Sequence, residues 1–329
     1  MYRASVGITT NMKAKATNWI ADNASSLGIE TIWIGEDIDI GQDVFVLTAC
    51  VLLRAQEARV GTAIIPVTVH NISTLARAAL TLQEIGQGRF VFGTGIGGIQ
   101  DLQRLGITLK RPVTDLKAAV SVLRRLWIGD SVTVENELFT LQDYSLRIRK
   151  SKAIPVFLGV RGPKMLELAG LISDGVILSG PFDYLKNAVG TIDSAAMMAG
   201  RKDAEVEKVA WLPTVPTFKG VKESLAKRVV SIVVADMPEA VLDMLDVDRG
   251  RVDKIRTSVE VEGPDGGIPY VNDELLDMFS ISGDRDHMVD RFEELSKIGI
   301  SEVVLGPPFS GDWRGAMKDI FQEIHRRRD

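Results

Sequence analysis

The sequence predicts an α/β barrel of the (β/α)8 TIM type, and three observations lead to this fold class. Short apolar runs alternate with amphipathic segments of helical period, and eight such pairs follow one another along the chain. The 329 residues suit one barrel with insertions better than a single small domain. Glycine-rich or polar residues follow several of the apolar runs, where the ligand-binding loops of such a barrel lie.

The eight predicted strands are short apolar runs. They cover residues 5–8, 31–35, 59–65, 90–95, 154–159, 175–178, 209–218 and 302–305. Apolar residues at helical spacing follow them and predict helices over 12–28, 43–56, 72–85, 113–127, 163–172, 184–199 and 313–325. Gly28, Gly88 and Gly200 stand where three of these helices should stop, because glycine accepts the left-handed backbone of a helix end.

Two segments depart from the repeat. Residues 131–147 alternate between apolar and polar positions, and predict a hairpin inserted before the fifth strand. Residues 219–277 are too long for one helix and predict an inserted helical subdomain after strand seven. The helical runs within and after it cover 221–234, 237–255 and 285–298. No long flexible linker divides the chain, so we predict a single domain over residues 1–329.

Composition and charge argue against several classes of function. Apolar residues make up 45% of the chain and charged residues 25%, as in ordinary soluble globular proteins. The formal net charge of −5 argues against a nucleic-acid partner. No apolar run approaches the roughly 18 residues that span a bilayer, and no signal-peptide pattern is visible. We therefore expect a cytoplasmic protein that binds a small-molecule substrate, and neither nucleic acid nor membrane.

Cysteine and histidine usage indicates neither a disulfide nor a metal site. The single cysteine, Cys50, lies in the apolar run 44–53 and is expected to be a buried structural thiol. No group of cysteine, histidine and carboxylate residues has the spacing of metal ligands. Apolar residues beyond the needs of one core occur at 229–234 and 237–245, and favour a homodimer or homotetramer.

The most informative stretch is Gly93-Thr94-Gly95-Ile96-Gly97-Gly98, which follows a predicted strand and precedes a long helical segment. Four glycines in six residues let the backbone approach a flat or anionic ligand, since no Cβ intervenes. Many α/β proteins hold a cofactor with a strand, a glycine-rich loop and a helix. The spacing differs from the dinucleotide fingerprint, and a plain tight turn is the alternative.

The end of the fifth predicted strand carries a second signal, Gly159-x-Arg161-Gly162-Pro163. Bare amides at a helix amino end bind anions, and Arg161 adds a positive charge, so the junction predicts a phosphate cradle. A tight turn with proline at the first helical position is the alternative.

Three polar side chains also follow predicted strands. Glu36 and Asp37 are adjacent carboxylates, and either could act as a general acid or anchor a ring nitrogen. A helix cap or a solvated loop is the alternative for both. His70 is the histidine at the predicted ligand face, where it could bind an anion or shuttle a proton; a capping or surface histidine is the alternative.

Ordered blocks along nearly the whole chain resemble one family. They are residues 5–8, 32–37, 82–89, 93–95, 105–107, 159–166, 169–175 and 279–283. The chain resembles the bacterial-luciferase-like superfamily of barrels, and within it the coenzyme F420-dependent methylenetetrahydromethanopterin reductases. The block from Gly162-Pro163-x-Met165-Leu166 to Ser173-Asp174-Gly175 is the most specific.

The resemblance implies a barrel that binds F420, a deazaflavin, with its ring near the barrel mouth. In this superfamily the third strand often carries a bulge with a non-proline cis peptide behind the ring, which corresponds here to residues 63–65. The residues expected to bind the cofactor are Thr9, Ala63, Ile64, Ile65, His70, Gly95, Gly97, Gly98, Gly159, Arg161, Gly162, Pro163 and Ser179.

Three positions depart from the reductases that the chain resembles. Thr9 stands where they carry a glutamate, Gly98 where they carry an aspartate, and Asp37 where they carry a histidine. Hydride transfer to an iminium carbon needs a nearby acid. The residues expected to be catalytic are therefore Glu36, Asp37 and Asp101.

The resemblance leaves three functions open. The first is an F420-dependent oxidoreductase that transfers a hydride between reduced F420 and an organic acceptor, with methylenetetrahydromethanopterin or a related one-carbon carrier as the first candidate. The second is an FMN-dependent luciferase-like monooxygenase. The third is a non-catalytic F420- or flavin-binding paralogue.

Overall fold

The computed structural model describes residues 2–38, 41–148, 152–202 and 205–328. The strands are β1 (Arg3–Thr9), β2 (Thr31–Gly35), β3 (Arg59–Thr62), β4 (Ile65–Pro66), β5 (Phe90–Gly95), β6 (Val132–Glu135), β7 (Thr140–Tyr144), β8 (Val156–Gly159), β9 (Gly175–Leu178), β10 (Glu207–Ala210), β11 (Thr214–Pro216), β12 (Ile281–Gly283) and β13 (Glu302–Leu305).

The helices are α1 (Ala14–Asp22), α2 (Ala24–Leu27), α3 (Val44–Arg54), α4 (Ile72–Ile85), α5 (Ile99–Arg104), α6 (Pro112–Trp127), α7 (Pro163–Ile172), α8 (Phe182–Met198), α9 (Glu223–Ala235), α10 (Glu239–Leu242), α11 (Arg249–Glu262), α12 (Asp273–Phe279), α13 (Arg285–Lys297) and α14 (Trp313–Arg328). Among the described residues, no helix has the length and apolar character needed to cross a membrane.

Most strands form one sheet whose order is β3-β2-β1-β13-β10-β9-β8-β5-β4, and β3 also pairs with β5. The pairings of β3 with β2 and β5, and of β5 with β8, are parallel. Because β3 has a neighbour on both sides, the sheet closes on itself. This order confirms the predicted eight-stranded α/β barrel, in which β4 continues the strand position of β3 along β5.

The chain packs as two compact units. The N-terminal unit comprises Gly7–Ile177 and Thr191–Glu207. The C-terminal unit comprises Met1–Val6, Leu178–Gly190 and Lys208–Asp329. The single-domain organisation expected from the sequence stays a prediction.

The core of the N-terminal unit contains large aromatic rings from several strands and from helix α6. Trp33 of β2 and Phe157 of β8 are buried with ring centroids 5.4 Å apart, and Phe92 of β5 meets Trp127 of α6 edge to face at 5.6 Å. Rings of this size bury about 150–250 Å² each, so they contribute much of the apolar free energy that holds the strands together. This packing holds in place the strands that carry the candidate site.

The C-terminal unit contains a buried carboxylate that accepts hydrogen bonds from neighbouring side chains. Glu302, at the start of β13, accepts hydrogen bonds from Arg3 Nε at 2.9 Å and Ser5 Oγ at 2.6 Å. Arg3 pairs with Glu302 in the parallel register of β1 and β13. A buried charge is tolerated when it is paired and hydrogen-bonded, as here.

Both insertions occur where the sequence predicts them. β6 and β7 form an antiparallel hairpin in which Glu135 pairs with Thr140. The side-chain oxygen of Asn136 accepts hydrogen bonds from the amides of Leu138 and Phe139, which closes the turn. Between residues 219 and 279 the chain forms the four α-helices α9 to α12, and Ile268–Tyr270 form a short 3₁₀-helix.

Several predicted elements differ in detail. The predicted strand 59–65 is interrupted into β3 and β4, and the predicted strand 209–218 contains β11, which pairs with β12, a strand that the sequence analysis missed. The predicted helix 12–28 breaks at Asn23 into α1 and α2. Helix α5 was also missed, because six residues are too few to show a period.

The expectation of a buried Cys50 is wrong, because this thiol is exposed on α3. Its position in an apolar run reflects the burial of Leu47 and Val51 on the opposite face of the same helix.

Candidate functional site

The break between β3 and β4 forms one wall of the candidate site in the N-terminal unit. The Ala63–Ile64 peptide bond is cis, at the position that the resemblance implies for the bulge behind a cofactor ring. The amide of Ala63 donates to the carbonyl of Ile34 on β2 at 2.7 Å. Ile65 is buried, whereas Ala63 and Ile64 remain partly exposed. Ile64 therefore presents an apolar side chain at the strand end.

Gly95 and Gly159 place two strand ends directly against Ile64. A Cβ on Gly95 would lie 2.6 Å from the carbonyl oxygen of Gly159 and 3.3 Å from Ile64 Cδ1. A Cβ on Gly159 would lie 2.5 Å from Ile64 Cγ2. Contacts this short leave no room for a side chain, so both positions require glycine. The ends of β5 and β8 and the bulge after β3 thus form one continuous surface.

The residues after β5 turn away into a short helix. Gly97 lies beside Pro66, and Gly98 is the residue before α5. Asp101, in the first turn of α5, is 44% exposed at its side chain and lies 3.8 Å from Arg104. An exposed pair of this kind is solvated and contributes little energy.

The junction of β8 and α7 has the backbone of an anion site. Gly162 precedes α7 with φ of 80°, a conformation that favours glycine, and Pro163 occupies the first helical position. No side chain caps the helix start, and a Cβ on Gly162 would meet nothing within 4 Å. The amides of the first turn are therefore available to a phosphate, and Arg161 is exposed beside them.

Glu36 and His70 meet at the ends of β2 and β4. His70 Nε2 lies 2.8 Å and 2.9 Å from the two carboxylate oxygens of Glu36. The side chain of Glu36 is 10% exposed and that of His70 is 19% exposed. The ring of Phe45 packs edge-on against the imidazole, with centroids 5.2 Å apart. The carboxylate and the phenyl ring therefore fix the orientation of the imidazole.

Asp37 and Thr9 have local partners. The amide of Asp37 donates to Thr10 Oγ1 at 2.8 Å, and this hydroxyl lies 3.3 Å from the carbonyl oxygen of Asp37. The hydroxyl of Thr9 donates to Asn11 Oδ1 at 2.7 Å. The contacts between Asp37 and Thr10 join the end of β1 to the end of β2. Ser179 follows β9 in the C-terminal unit and is partly buried.

The structure therefore divides the predicted site residues into groups. One surface contains Ile64, Gly95 and Gly159, and one hydrogen-bonded pair joins Glu36 to His70. Asp101 is paired separately, on α5. Among the described residues, no group of three or more histidine, cysteine or carboxylate side chains has the arrangement of a metal site.

Asp115, in the first turn of α6, is a charged residue that the sequence analysis missed. It is 1% exposed, and neither carboxylate oxygen has a hydrogen-bond partner among the described residues. Burial raises its pKa, the charge of Glu137 at the hairpin tip raises it further, and Arg111 lowers it. Asp115 is one aspartate within a predicted helix, and nothing in the sequence predicts that it is buried.

The fold and these strand ends define an α/β-barrel ligand-binding protein with its site at the carboxyl ends of the strands. The chain belongs to the family described as luciferase-like monooxygenase, whose model matches residues 1–302.

Within that family the chain is similar to 5,10-methylenetetrahydromethanopterin reductases of archaea. It is 30% identical to the enzyme of Archaeoglobus fulgidus over 321 residues, which cover 95% of this chain and 96% of that protein. It is 29% identical to the enzyme of Methanolobus tindarius, over 92% of this chain and 93% of that protein.

The solved structure of the coenzyme F420 dependent tetrahydromethanopterin reductase from Methanopyrus kandleri has the same fold. It superposes with a TM-score of 0.89 over 99% of both chains, at 22% sequence identity.

Proposed function

We propose that this protein is an F420-dependent oxidoreductase that transfers a hydride from reduced F420 to an organic acceptor. Methylenetetrahydromethanopterin or a related one-carbon carrier is the proposed substrate. The observation that carries this proposal is the surface formed by Ile64, Gly95 and Gly159, where two strand ends lack side chains against one apolar residue. The names of the similar archaeal reductases support the same reaction.

The residues of the N-terminal unit fit a deazaflavin. A flat ring needs an apolar surface that the backbone can approach closely, and the partly exposed Ile64 with its two glycine neighbours supplies one. A phosphate needs bare amides and positive charge, and the start of α7 with Arg161 supplies both. We assign the ring to the first group of residues and the phosphate to the second.

When bound, F420 supplies a hydride from a ring carbon without activating oxygen. The protein has to hold the acceptor, exclude water and provide a proton. The carboxylates proposed for this task are Glu36, Asp37 and Asp101. Of the three, Glu36 is the one that the structure pairs with a titratable side chain at the strand ends.

The absorbance of the purified protein tests the cofactor. A peak at about 420 nm after incubation with F420 and gel filtration supports the proposal, whereas peaks at about 370 and 450 nm indicate FMN and the monooxygenase alternative. Reduced F420 is then mixed with methylenetetrahydromethanopterin and its reoxidation is followed. Binding of F420 without turnover on any acceptor would indicate a non-catalytic F420-binding paralogue.

Assembly as a homodimer or homotetramer is a further proposal. It rests on the apolar residues of 229–234 and 237–245, among which Ile232 is 38% exposed and Met244 is 48% exposed. Light scattering coupled to size-exclusion chromatography tests it, and a monomer at all concentrations would overturn it.

A further inference from the structure

We infer that His70, held by Glu36, is the catalytic acid that protonates the nitrogen released from the substrate; this inference rests on the proposed function. The sequence and its resemblance predict that His70 binds the cofactor and that the acid is one of Glu36, Asp37 and Asp101. The geometry assigns these roles differently, with the imidazole as the acid and Glu36 as the residue that positions it.

The hydrogen bonds of His70 leave one ring nitrogen available. Nε2 lies within hydrogen-bond distance of both oxygens of Glu36, so the carboxylate favours a proton on that nitrogen. No described residue makes a hydrogen bond with the other ring nitrogen, Nδ1. A carboxylate on one side of an imidazole and an open nitrogen on the other is the arrangement that general acid–base catalysis uses.

The pair lies at the same end of the strands as the proposed ring surface. Glu36 directly follows β2, and His70 follows β4 and precedes Asn71, the cap of α4. The bulge at Ala63–Ile64 lies between β3 and β4, and its amide is bonded to the carbonyl of Ile34 on β2. The pair and the proposed ring surface therefore arise from adjacent strand ends of one unit.

The geometry of the other two candidate acids differs from that of the pair. Asp101 is 44% exposed and faces Arg104 across 3.8 Å on a surface helix, so its charge is solvated. The main chain of Asp37 is occupied with Thr10, where it joins two strand ends. Glu36, in contrast, contacts the imidazole of His70 with both of its carboxylate oxygens.

The proton balance of the reaction needs such an acid. Hydride transfer to the methylene carbon of the substrate would break the bond from that carbon to one nitrogen, with the electron pair left on the nitrogen. The imidazolium of His70 gives its Nδ1 proton to that nitrogen, which forms an N–H bond and leaves a neutral imidazole. Glu36 stays ionised throughout, and solvent returns the proton to His70.

The test compares His70→Gln and Glu36→Gln with His287→Gln. His287 is a control of the same type, because its imidazole also lies near a carboxylate, 3.9 Å from Asp277, but on α13. For His70→Gln we expect kcat to fall about 100-fold or more, as for the loss of a general acid, while the Kd for F420 changes less than about threefold.

Two further readouts separate an acid from a structural residue. The rate of the unmodified protein should fall as pH rises, because the acid loses its proton, and His70→Gln should lose this dependence. Added imidazole should restore part of the rate of His70→Gln. Glu36→Gln should lower kcat less than His70→Gln does, since it removes only the positioning carboxylate.

The outcomes distinguish the inference from the proposed function. If the unmodified protein does not bind F420, the proposed function fails and the inference fails with it. If it binds F420 and reduces an acceptor but His70→Gln retains its kcat and pH profile, only the inference is overturned. Loss of F420 binding in His70→Gln would also overturn the acid role and return His70 to a cofactor-binding role.

Discussion

Two carboxylates at opposite ends of the strands of the N-terminal unit are each paired with a nitrogen-containing side chain, and the two pairs serve different purposes. Arg59 and Glu207 begin β3 and β10, and the Arg59 guanidinium contacts both oxygens of Glu207 at 3.1–3.2 Å. Glu36 and His70 follow β2 and β4 at the other end. Both pairs are only partly exposed.

The two pairs differ in the side chain that contacts the carboxylate. The guanidinium of Arg59 also donates to Thr31 Oγ1 at 3.3 Å and lies 6.0 Å from the centre of the Phe157 ring. Arginine does not release a proton in proteins, so this pair can only hold strands together. Histidine titrates near neutral pH and has a second nitrogen, so a pair with histidine can transfer a proton. We therefore expect stability effects at the amino ends and catalytic effects at the carboxyl ends.

The largest effect is expected at Gly95. Gly95→Ala places a methyl group 2.6 Å from the carbonyl oxygen of Gly159, and the two strand ends must separate. We expect the affinity for F420 to fall at least ~100-fold, equivalent to about 2.7 kcal/mol, because the ring surface is lost. Fluorescence titration with F420 measures this. Gly190→Ala on α8, where a Cβ meets nothing within 4 Å, is the control. Unchanged affinity in Gly95→Ala would show that the ring does not bind there.

The amino-end pair should affect stability instead. Arg59→Met removes the partner of Glu207 and should lower the free energy of unfolding by about 2 kcal/mol, with kcat unchanged. Urea unfolding measures the loss. Arg104→Met, which breaks the exposed pair with Asp101, should cost less than about 0.5 kcal/mol. A loss of kcat without a loss of stability in Arg59→Met would contradict the comparison.

A smaller effect on cofactor affinity is expected at Arg161. Arg161→Gln removes a positive charge beside the start of α7 and should weaken F420 binding about tenfold, with a smaller difference at high salt. Titration at two salt concentrations measures both. Lys117→Gln, which removes an exposed cation of α6, is the control. Equal effects of the two variants would mean that α7 does not receive the phosphate.

Asp115 extends the comparison to a buried carboxylate whose oxygens have no hydrogen-bond partner among the described residues. Because its pKa is raised in the folded protein, the folded state binds the proton more tightly than the unfolded state. The stability is therefore greatest below the unfolded pKa and falls as pH rises through the folded pKa. Asp115→Asn should be more stable by about 1 kcal/mol at about pH 8, and about equal to the unmodified protein at about pH 4.

Thermal or urea unfolding across this pH range measures the difference. Asp101→Asn, at an exposed aspartate, is the control. A variant that is less stable at high pH would show that the carboxylate of Asp115 is satisfied in solution.

The sequence was sufficient for the barrel because its signals are local. Each apolar run predicts a strand from its own residues, and glycines at 28 and 162 predict turns from their own backbone needs. Pairing is not local: Glu36 and His70 are 34 residues apart, and their contact depends on how β2 and β4 are placed. The pairing of β11 with β12 is also non-local. In addition, each of these strands has only three residues, which are too few to show an alternating pattern.

The contact of Ile64 with Gly95 and Gly159 has a consequence for how this site can change in evolution. The three residues come from separate strand ends. Because the two glycines have no side chain, Ile64 can pack directly against both of them. A larger residue at either glycine, or a differently shaped residue at 64, disturbs both neighbours. The shape of the ring surface can therefore be altered only by coordinated substitutions, so single mutations should change the acceptor or the proton donor more readily than the cofactor.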